Sequence, residues 1–353
     1  MVVGSRGGRQ TARMESGIGA AGRQMTNPAI AIMATGGTIE CLGADRLDTA
    51  WYPDTNLTLD PGRLLSELPE LRRFCRPELV DCRMTGRGPV TADWFRLHRQ
   101  ILDLLDRGVD GIVVTHGTNP LEELAYFLHL TTRTTTPIVV TGAMRPWSAL
   151  SGDGPSNLVN AVRVAVDPQA RELGVVVVMN ETILSARDVS KTSTHRLQAF
   201  QAPAGGPLGH ADADRIEVVN RPRRRHTSRS EFDIGDLQDL PRVDITVSYV
   251  GADGVMIDAA VAAGARGIVN AGSGAGRPTS DENDALDRAV QAGVVVCQAS
   301  RTGSGRVTPS PWLRRRRLIA GGDLPPWKAR ILLGLALTRS PDLDDIQRMF
   351  DEY

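Results

Sequence analysis

Short apolar runs alternate with helical patterns along most of the chain. The apolar runs predict strands at 29–34, 78–82, 111–115, 137–141, 174–179, 244–249, 267–270 and 293–297. Helical periodicity lies between them, at 61–68, 91–107, 120–131, 155–166, 255–264, 281–291 and 326–338. This alternation is typical of βαβ units, which build a mainly parallel sheet with helices on both faces. The sequence therefore predicts an α/β fold.

The pattern also divides the chain. A length of 353 residues suggests two domains. The alternation breaks between about 205 and 243, in a stretch with Gly, Pro and several Arg. We expect a disordered extension over 1–27, a larger N-terminal α/β domain over 28–215, a linker over 216–243 and a smaller C-terminal α/β domain over 244–353.

The composition argues against several classes of binding partner. The 41 basic and 41 acidic residues cancel, and aromatic residues make up 4% of the chain. A nucleic-acid or anionic-membrane binder needs a basic field, and base stacking needs aromatic side chains. No run approaches the ~18 apolar residues of a membrane span. The first residues lack the apolar core of a secretory signal, so we expect a cytoplasmic protein.

Cofactor and metal motifs are missing from the sequence. The four cysteines form no C-x-x-C pair, which leaves a zinc site without support. The dinucleotide and P-loop glycine patterns, the G-x-S-x-G elbow and the H-E-x-x-H helix do not occur. We expect neither a metal nor a cofactor.

Two glycine-bearing turns carry the candidate chemistry. Ala-Thr-Gly-Gly-Thr-Ile at 34–39 follows the first apolar run, and His-Gly-Thr-Asn at 116–119 follows the third. In open parallel sheets, ligands bind just beyond the carboxyl ends of the strands. Two hydroxyls delivered there, from Thr38 and Thr118, predict one site for covalent catalysis.

A threonine nucleophile needs a base and a site for the oxyanion. Glycines such as Gly37 let backbone amides approach a reacting carbonyl closely. Thr35 is the competing hydroxyl, although it lies nearer the strand end, where packing is expected. Lys191 is the best candidate base, because burial lowers a lysine pKa. Asp188 and Asn119 are the candidates to orient it, while an ordinary surface lysine remains the alternative.

Together these segments resemble the bacterial-type L-asparaginase and glutaminase-asparaginase family. The likeness runs from about residue 28 to Tyr353. Its matching pieces occur in family order, at 34–39, 115–118, 122–128, 142–146, 153–158, 178–180, 187–192 and 226–233. The resemblance implies a two-domain α/β fold, and a homotetramer or homodimer with the site near the subunit interface.

The resemblance also implies amide hydrolysis through an acyl-enzyme, with a small-molecule amide as substrate and ammonia as product. By motif match, Thr38 is the nucleophile. Thr118 and Lys191 belong to the supporting group that activates the nucleophile or water. The carbonyl of Ala143 is expected beside the substrate amide.

The sequence departs from the family at the positions that hold the substrate. The lid tyrosine falls at Tyr52 or Trp51. Asn119 replaces an aspartate that binds the substrate α-ammonium, which removes a charge-assisted contact worth on the order of 1.5–3 kcal/mol. Gly86 and Arg87 replace a small polar pair that holds the α-carboxylate. The substrate is therefore either L-Asn or a modified, acylated or cyclic amide, and a non-catalytic binding relative is a further alternative.

Overall fold

A computed structural model describes residues 27–83 and 90–353, and the predicted extension lies outside it except for its last residue. The N-terminal strands are β1 Ala29–Ala34, β2 Arg76–Asp81, β3 Gly111–Thr115, β4 Ile138–Thr141, β5 Val175–Met179, β6 Thr182–Ser185, β7 Ser190–Lys191, β8 Phe200–Gln201, β9 Gly209–Ala211 and β10 Ile216–Val218. Eight of them form one sheet in the order β10-β9-β6-β5-β4-β3-β1-β2. Strands β1 to β5 are parallel, and β6, β9 and β10 add an antiparallel edge.

Helices cover both faces of this sheet. They are α1 Tyr52–Thr55, α2 Pro61–Ser66, α3 Thr91–Asp106, α4 Leu121–Thr131 and α5 Gly154–Val166. Strand β1 is buried on both sides, since Ile30 and Ile32 join the cluster beneath α5 while Ala31 and Met33 join the cluster beneath α4. Continuously apolar strands are the expected consequence of such two-sided burial.

A second, all-parallel sheet organises the C-terminal domain. Its order is β11-β12-β13-β14, with β11 Val243–Val247, β12 Gly267–Gly272, β13 Val295–Ser300 and β14 Ile319–Ala320. Its helices are α6 Val255–Ala262, α7 Ser280–Gln291, α8 Pro311–Arg315, α9 Pro326–Arg339 and α10 Leu343–Glu352. Helix α9 packs on α4, so one apolar cluster continues from the first sheet into the second domain.

The predicted class, a mainly parallel α/β fold with a smaller second α/β domain, is confirmed. The antiparallel strands β6, β9 and β10 were not predicted, because each has three or four residues of mixed polarity. Strand β10 carries the first sheet past residue 215, where we expected the domain to end. The domain limits stay a prediction.

Among the described residues, no helix combines the length and the apolar character that crossing a membrane requires.

A buried histidine pair makes stability depend on pH. The rings of His129 and His226 stack with centroids 4.9 Å apart, and His129 Nδ1 accepts the backbone N–H of Val175 at 3.1 Å. Burial lowers the pKa of His226 from 6.5 to about 4, and it lowers the pKa of His129 well below 6.5. Between its lowered folded-state pKa and 6.5, each histidine binds more protons in the unfolded chain than in the folded one. The contribution of this pair to the free energy of unfolding therefore falls as pH falls below 6.5.

Urea denaturation at pH 7 and pH 5 checks this expectation. Wild type should lose more stability between pH 7 and pH 5 than His226→Gln does, so this substitution should shift the difference between the two pH values. His210→Gln, at an exposed position of β9, is the matched control and should keep the wild-type difference. An unchanged difference in His226→Gln would contradict the assignment.

Candidate active site

Thr38 lies on the first of two turns that follow central strands of the sheet. After β1 ends at Ala34, Gly36 and Gly37 adopt φ values of +92° and +98°, which glycine takes without a Cβ penalty. The Oγ1 atom of Thr38 then lies 2.8 Å from the hydroxyl of Tyr52. Burial raises the pKa of Tyr52, so this hydroxyl keeps its proton at neutral pH. The turn presents a hydrogen-bonded pair of hydroxyls.

Thr118 lies on the second turn, after β3. Lys191 Nζ donates to Thr118 Oγ1 at 2.9 Å and to Asn119 Oδ1 at 2.8 Å. Burial lowers the pKa of Lys191, although the carboxylate of Glu122 acts in the opposite direction. An amine with a lowered pKa and two neutral partners is suited to accept a proton.

Close backbone approaches bring the turns together. A Cβ on Gly37 would lie 2.5 Å from Gly117 Cα, and a Cβ on Gly142 would lie 2.6 Å from the carbonyl oxygen of His116. Because β1, β3 and β4 are parallel neighbours, their carboxyl ends deliver these turns to one edge of the sheet. A cleft of about 630 Å³ opens there. Its lining includes Gly37, Thr38, Tyr52, Thr118, Asn119 and Lys191.

Gly37→Ala is expected to destabilise the fold more than Gly36→Ala does. Both residues have φ near +95°, so both substitutions carry backbone strain of about 1–2 kcal/mol. A Cβ on Gly36 meets no described atom within 4 Å, whereas one on Gly37 collides with Gly117. Overpacking adds about 1–3 kcal/mol, which urea denaturation of the two variants should resolve. Equal losses would show that the two turns do not depend on this contact.

Glu122 fixes the strand that carries Lys191, and sequence reasoning gave this acid no role. Its buried carboxylate accepts the backbone N–H of Lys191 at 3.0 Å, the hydroxyl of Ser190 at 3.1 Å and the indole N–H of Trp327 at 2.8 Å. It therefore joins α4 and β7 to α9 of the second domain. The available signal was a pair of acids, Glu122 and Glu123, in the first turn of a largely apolar helix.

Glu40 is a second carboxyl that sequence reasoning missed. It is buried behind the Thr38 turn and accepts the backbone N–H of Gly36 at 3.1 Å. Burial raises its pKa to about 7. The signal was an acid placed between Ile39 and Cys41, two residues after the candidate nucleophile.

Asp188 does not orient Lys191, contrary to one of the two expectations. Its carboxylate pairs with Arg187 at 2.9 Å, and Arg187 also binds Asp323 at 2.6 Å. The guanidinium of Arg187 is 7% exposed and needs both acids, since a buried charge is costly without partners. Asn119 is the candidate that contacts Lys191.

The chain has two lysines among its 41 basic residues, and their surroundings differ. Lys328 is fully buried, and burial lowers its pKa to about 8. Its Nζ donates to the carbonyl oxygens of Ala186 and Arg187 at 2.9 Å each, and to that of Val189. Lys328 therefore braces the chain before β7, while Lys191 alone lines the cleft.

The structure distinguishes between the alternatives for two positions, Thr35 or Thr38 and Trp51 or Tyr52. Thr35 is buried, and its Oγ1 donates to the carbonyl oxygen of Thr115 at 2.7 Å, as packing predicted. Tyr52 contacts Thr38, whereas the side chain of Trp51 is 76% exposed. Thr38 rather than Thr35, and Tyr52 rather than Trp51, therefore line the cleft.

Of the other predicted substrate contacts, the structure describes Ala143 but not Gly86 and Arg87. Ala143 is fully buried, and its neighbour Met144 lines the cleft. The carboxylate of Asp153 holds this segment by accepting the N–H of Met144 at 2.9 Å. Gly86 and Arg87 lie outside the described residues.

The cleft brings hydroxyl groups together with an amide and an amine, and Cys41, Glu123 and His195 also line it. Nowhere in residues 27–83 and 90–353 do three or more His, Cys, Asp or Glu side chains cluster as a metal site would require. Two hydroxyls, one beside a tyrosine and one beside a lysine, are suited to nucleophilic attack and proton transfer.

Comparison with known families agrees with this fold. Residues 29–224 match the model of the asparaginase N-terminal domain. Residues 242–350 match the model of the glutaminase/asparaginase C-terminal domain. The chain therefore belongs to the asparaginase family and is an asparaginase-family enzyme.

Individual relatives support the same assignment. L-asparaginase 2 of Bacillus subtilis (strain 168) is 42% identical over 92% of this chain and 87% of its own length. L-asparaginase 2 of Escherichia coli (strain K12) is 37% identical over 98% of this chain and 99% of its own. The crystal structure of a probable cytoplasmic L-asparaginase from Campylobacter jejuni has a TM-score of 0.85 and 38% identity, covering 92% of this chain and 100% of that one.

Proposed function

We propose that this enzyme hydrolyses a side-chain carboxamide of L-Asn or an Asn-like substrate through a threonine ester. One observation carries the proposal. Two threonine hydroxyls, each with its own hydrogen-bonding partner at 2.8 or 2.9 Å, line a single cleft. The relatives named L-asparaginase act on the corresponding amide, which favours hydrolysis over binding without catalysis.

In the first half-reaction, Thr38 Oγ1 attacks the carboxamide carbon while its proton moves to the Tyr52 hydroxyl, which passes its own proton on to the leaving nitrogen. The C–N bond then breaks, and the leaving nitrogen takes a proton and departs as ammonia. Backbone N–H groups of the Gly37 turn stabilise the oxyanion. The product of this step is an ester between Thr38 and the acyl group.

In the second half-reaction, water attacks the ester carbon. Thr118 positions the water, and Lys191 accepts its proton through the Thr118 hydroxyl. The C–O bond to Thr38 breaks, and Thr38 takes a proton from the Tyr52 hydroxyl. As the acid leaves, Lys191 releases the proton that it accepted to solvent and Tyr52 is reprotonated from solvent. No cofactor or metal takes part in either step.

Trapping of the acyl-enzyme tests the proposal. Protein mixed with excess L-Asn and quenched in acid should gain the mass of one acyl group, on the peptide that contains Thr38. Thr38→Ala should show no such adduct. An adduct on the Thr118 peptide would exchange the roles of the two threonines, and turnover without any adduct would contradict covalent catalysis.

The same nucleophile acting on a modified, acylated or cyclic amide is the second candidate. It is favoured by Asn119, a neutral amide whose oxygen is engaged by Lys191 at 2.8 Å. Ammonia release from free L-Asn, compared with release from a capped amide, distinguishes the two candidates.

We further propose a homotetramer or homodimer with the cleft near the subunit interface. The C-terminal domain exposes several large apolar side chains around its edge strand β11, including Val247, Tyr249, Val250, Val255 and Met256. Contiguous apolar surface of this kind usually marks an interface. Light scattering should show an oligomer, and Val250→Asp should reduce its size. A cytoplasmic location stays a prediction, supported by the name of the Campylobacter jejuni relative.

A further inference from the structure

The cleft continues into a second cavity. This cavity has a volume of about 460 Å³ and shares Asn119, Glu123, Lys191 and Thr194 with the cleft. The two spaces therefore meet at the Asn119–Lys191 pair. Beyond that pair the cavity is lined by Glu122, Thr192, Ser193 and Trp327. A substrate whose amide reaches Thr38 has room to extend past Asn119.

Asn119 presents a hydrogen-bond donor at this junction. Its Oδ1 accepts from Lys191 Nζ at 2.8 Å, which leaves the two N–H groups of Nδ2 for another partner. Within the described part of the chain, Nδ2 makes no hydrogen bond. A substrate group beside Asn119 is therefore best recognised when it is an acceptor, such as a carbonyl oxygen.

The surroundings of Lys191 disfavour a cation at the same place. No carboxylate of the described residues lies within 4.0 Å of Lys191 Nζ, and Asn119 is neutral, so the Asn119–Lys191 pair itself offers a substrate ammonium no negative charge. Of the two acids in the cavity, Glu122 already accepts from three donors. Glu123 is the remaining acid that an ammonium could use.

Trp327 supplies an apolar wall. Its indole N–H is bound to Glu122 at 2.8 Å, which fixes the ring within the cavity lining. The hydroxyl groups of Thr192 and Ser193 lie on the same lining. A short acyl chain can pack on this aromatic wall, although Glu122, Glu123 and Lys191 also line the cavity.

We propose that this second cavity is a subsite for an acyl group on the α-nitrogen of the substrate, so that the preferred substrate is an N-acylated asparagine-type amide. The acyl carbonyl accepts from Asn119 Nδ2, and the acyl chain packs against Trp327. The inference rests on the proposed function, because it requires the amide to be cleaved at Thr38.

Three substrates test the subsite in the wild-type enzyme: L-asparagine, Nα-acetyl-L-asparagine and Nα-butanoyl-L-asparagine. We expect kcat/KM for ammonia release to be about tenfold or more higher for both acylated compounds than for L-asparagine, equivalent to about 1.4 kcal/mol. The butanoyl compound should be at least as good as the acetyl one. A preference for L-asparagine, or a fall from acetyl to butanoyl, would overturn the proposal.

Ser193→Phe tests the location of the subsite, because Ser193 lines the second cavity and not the cleft. The added ring should lower kcat/KM for the butanoyl compound about tenfold, an effect of roughly 1.4 kcal/mol. Activity on L-asparagine should be unchanged, and Ser193→Ala should keep wild-type values on all three substrates. Equal losses on every substrate, in a variant with wild-type circular dichroism, would contradict the location.

Glu123→Gln tests whether the junction at Asn119 and Lys191 binds a substrate ammonium instead of an acyl group. If it selectively lowers activity on L-asparagine in an enzyme that prefers L-asparagine, the junction binds an ammonium and the proposal is wrong. A failure of the proposed hydrolysis at Thr38 would give a different result from a failure of the subsite. Ammonia release that survives Thr38→Ala would remove the proposed mechanism, whereas Thr38-dependent release with a preference for free asparagine removes the subsite alone.

Discussion

Thr38→Ala is expected to abolish ammonia release, lowering kcat by roughly 10⁴–10⁶-fold. The variant loses the oxygen that forms the acyl ester, while Tyr52, Thr118 and Lys191 remain in place. Residual turnover would come from water attack within the same cleft. Steady-state ammonia assays at saturating amide measure the effect, and denaturation curves establish that the fold is intact.

Thr35→Ala is the matched control for this prediction. Thr35 lies three residues earlier on the same turn, but its hydroxyl is buried and donates to the carbonyl oxygen of Thr115 at 2.7 Å. Its loss should cost about 1 kcal/mol of stability and little activity. If Thr35→Ala inactivated the enzyme and Thr38→Ala did not, the assignment of the nucleophile would be wrong.

The sequence was sufficient to predict the parallel strands of the first sheet and its two reactive turns. Strands β1 and β5 are apolar throughout, and β3 is apolar up to its last residue, Thr115. The two glycine turns stand directly after β1 and β3. In a parallel sheet, the carboxyl ends lie on one edge whatever the strand order. The meeting of Thr38 and Thr118 follows from that rule, and both residues line one cleft in the structure.

The groups that support the reactive side chains could not be predicted in the same way. Glu122 and Lys191 are 69 residues apart, and their contact depends on how β7 lies against α4. Asp188 and Asn119 were equal candidates to orient Lys191, because neither pattern nor spacing reveals that Arg187 engages Asp188. Long-range polar contacts are set by packing rather than by local periodicity.

The sequence also could not show which polar groups are buried. Glu40 follows the turn as a surface acid would, yet the fold encloses it and raises its pKa to about 7. The two lysines look alike in sequence, but Lys328 meets three carbonyl oxygens and Lys191 meets a hydroxyl and an amide. Their different roles become visible only with these partners.

Lys191→Met and Lys191→Arg are both expected to lower kcat by about 10²–10⁴-fold, the usual contribution of a general base. Methionine removes the amine, and arginine keeps a positive charge that is not released at accessible pH. Loss in both variants therefore identifies proton transfer as the function of Lys191. Survival of activity in Lys191→Arg would show instead that the site needs only a cation beside Thr118.

The pH dependence of the wild-type enzyme provides an independent readout. Burial lowers the pKa of Lys191, so the neutral amine becomes available at lower pH than in an exposed lysine. Activity should rise with pH as this amine loses its proton. Because the chain contains two lysines, ¹³C-lysine labelling gives two NMR signals to follow, and Lys191→Arg identifies the one from Lys191. If the rise of activity with pH does not coincide with the titration of that signal, Lys191 does not accept the proton.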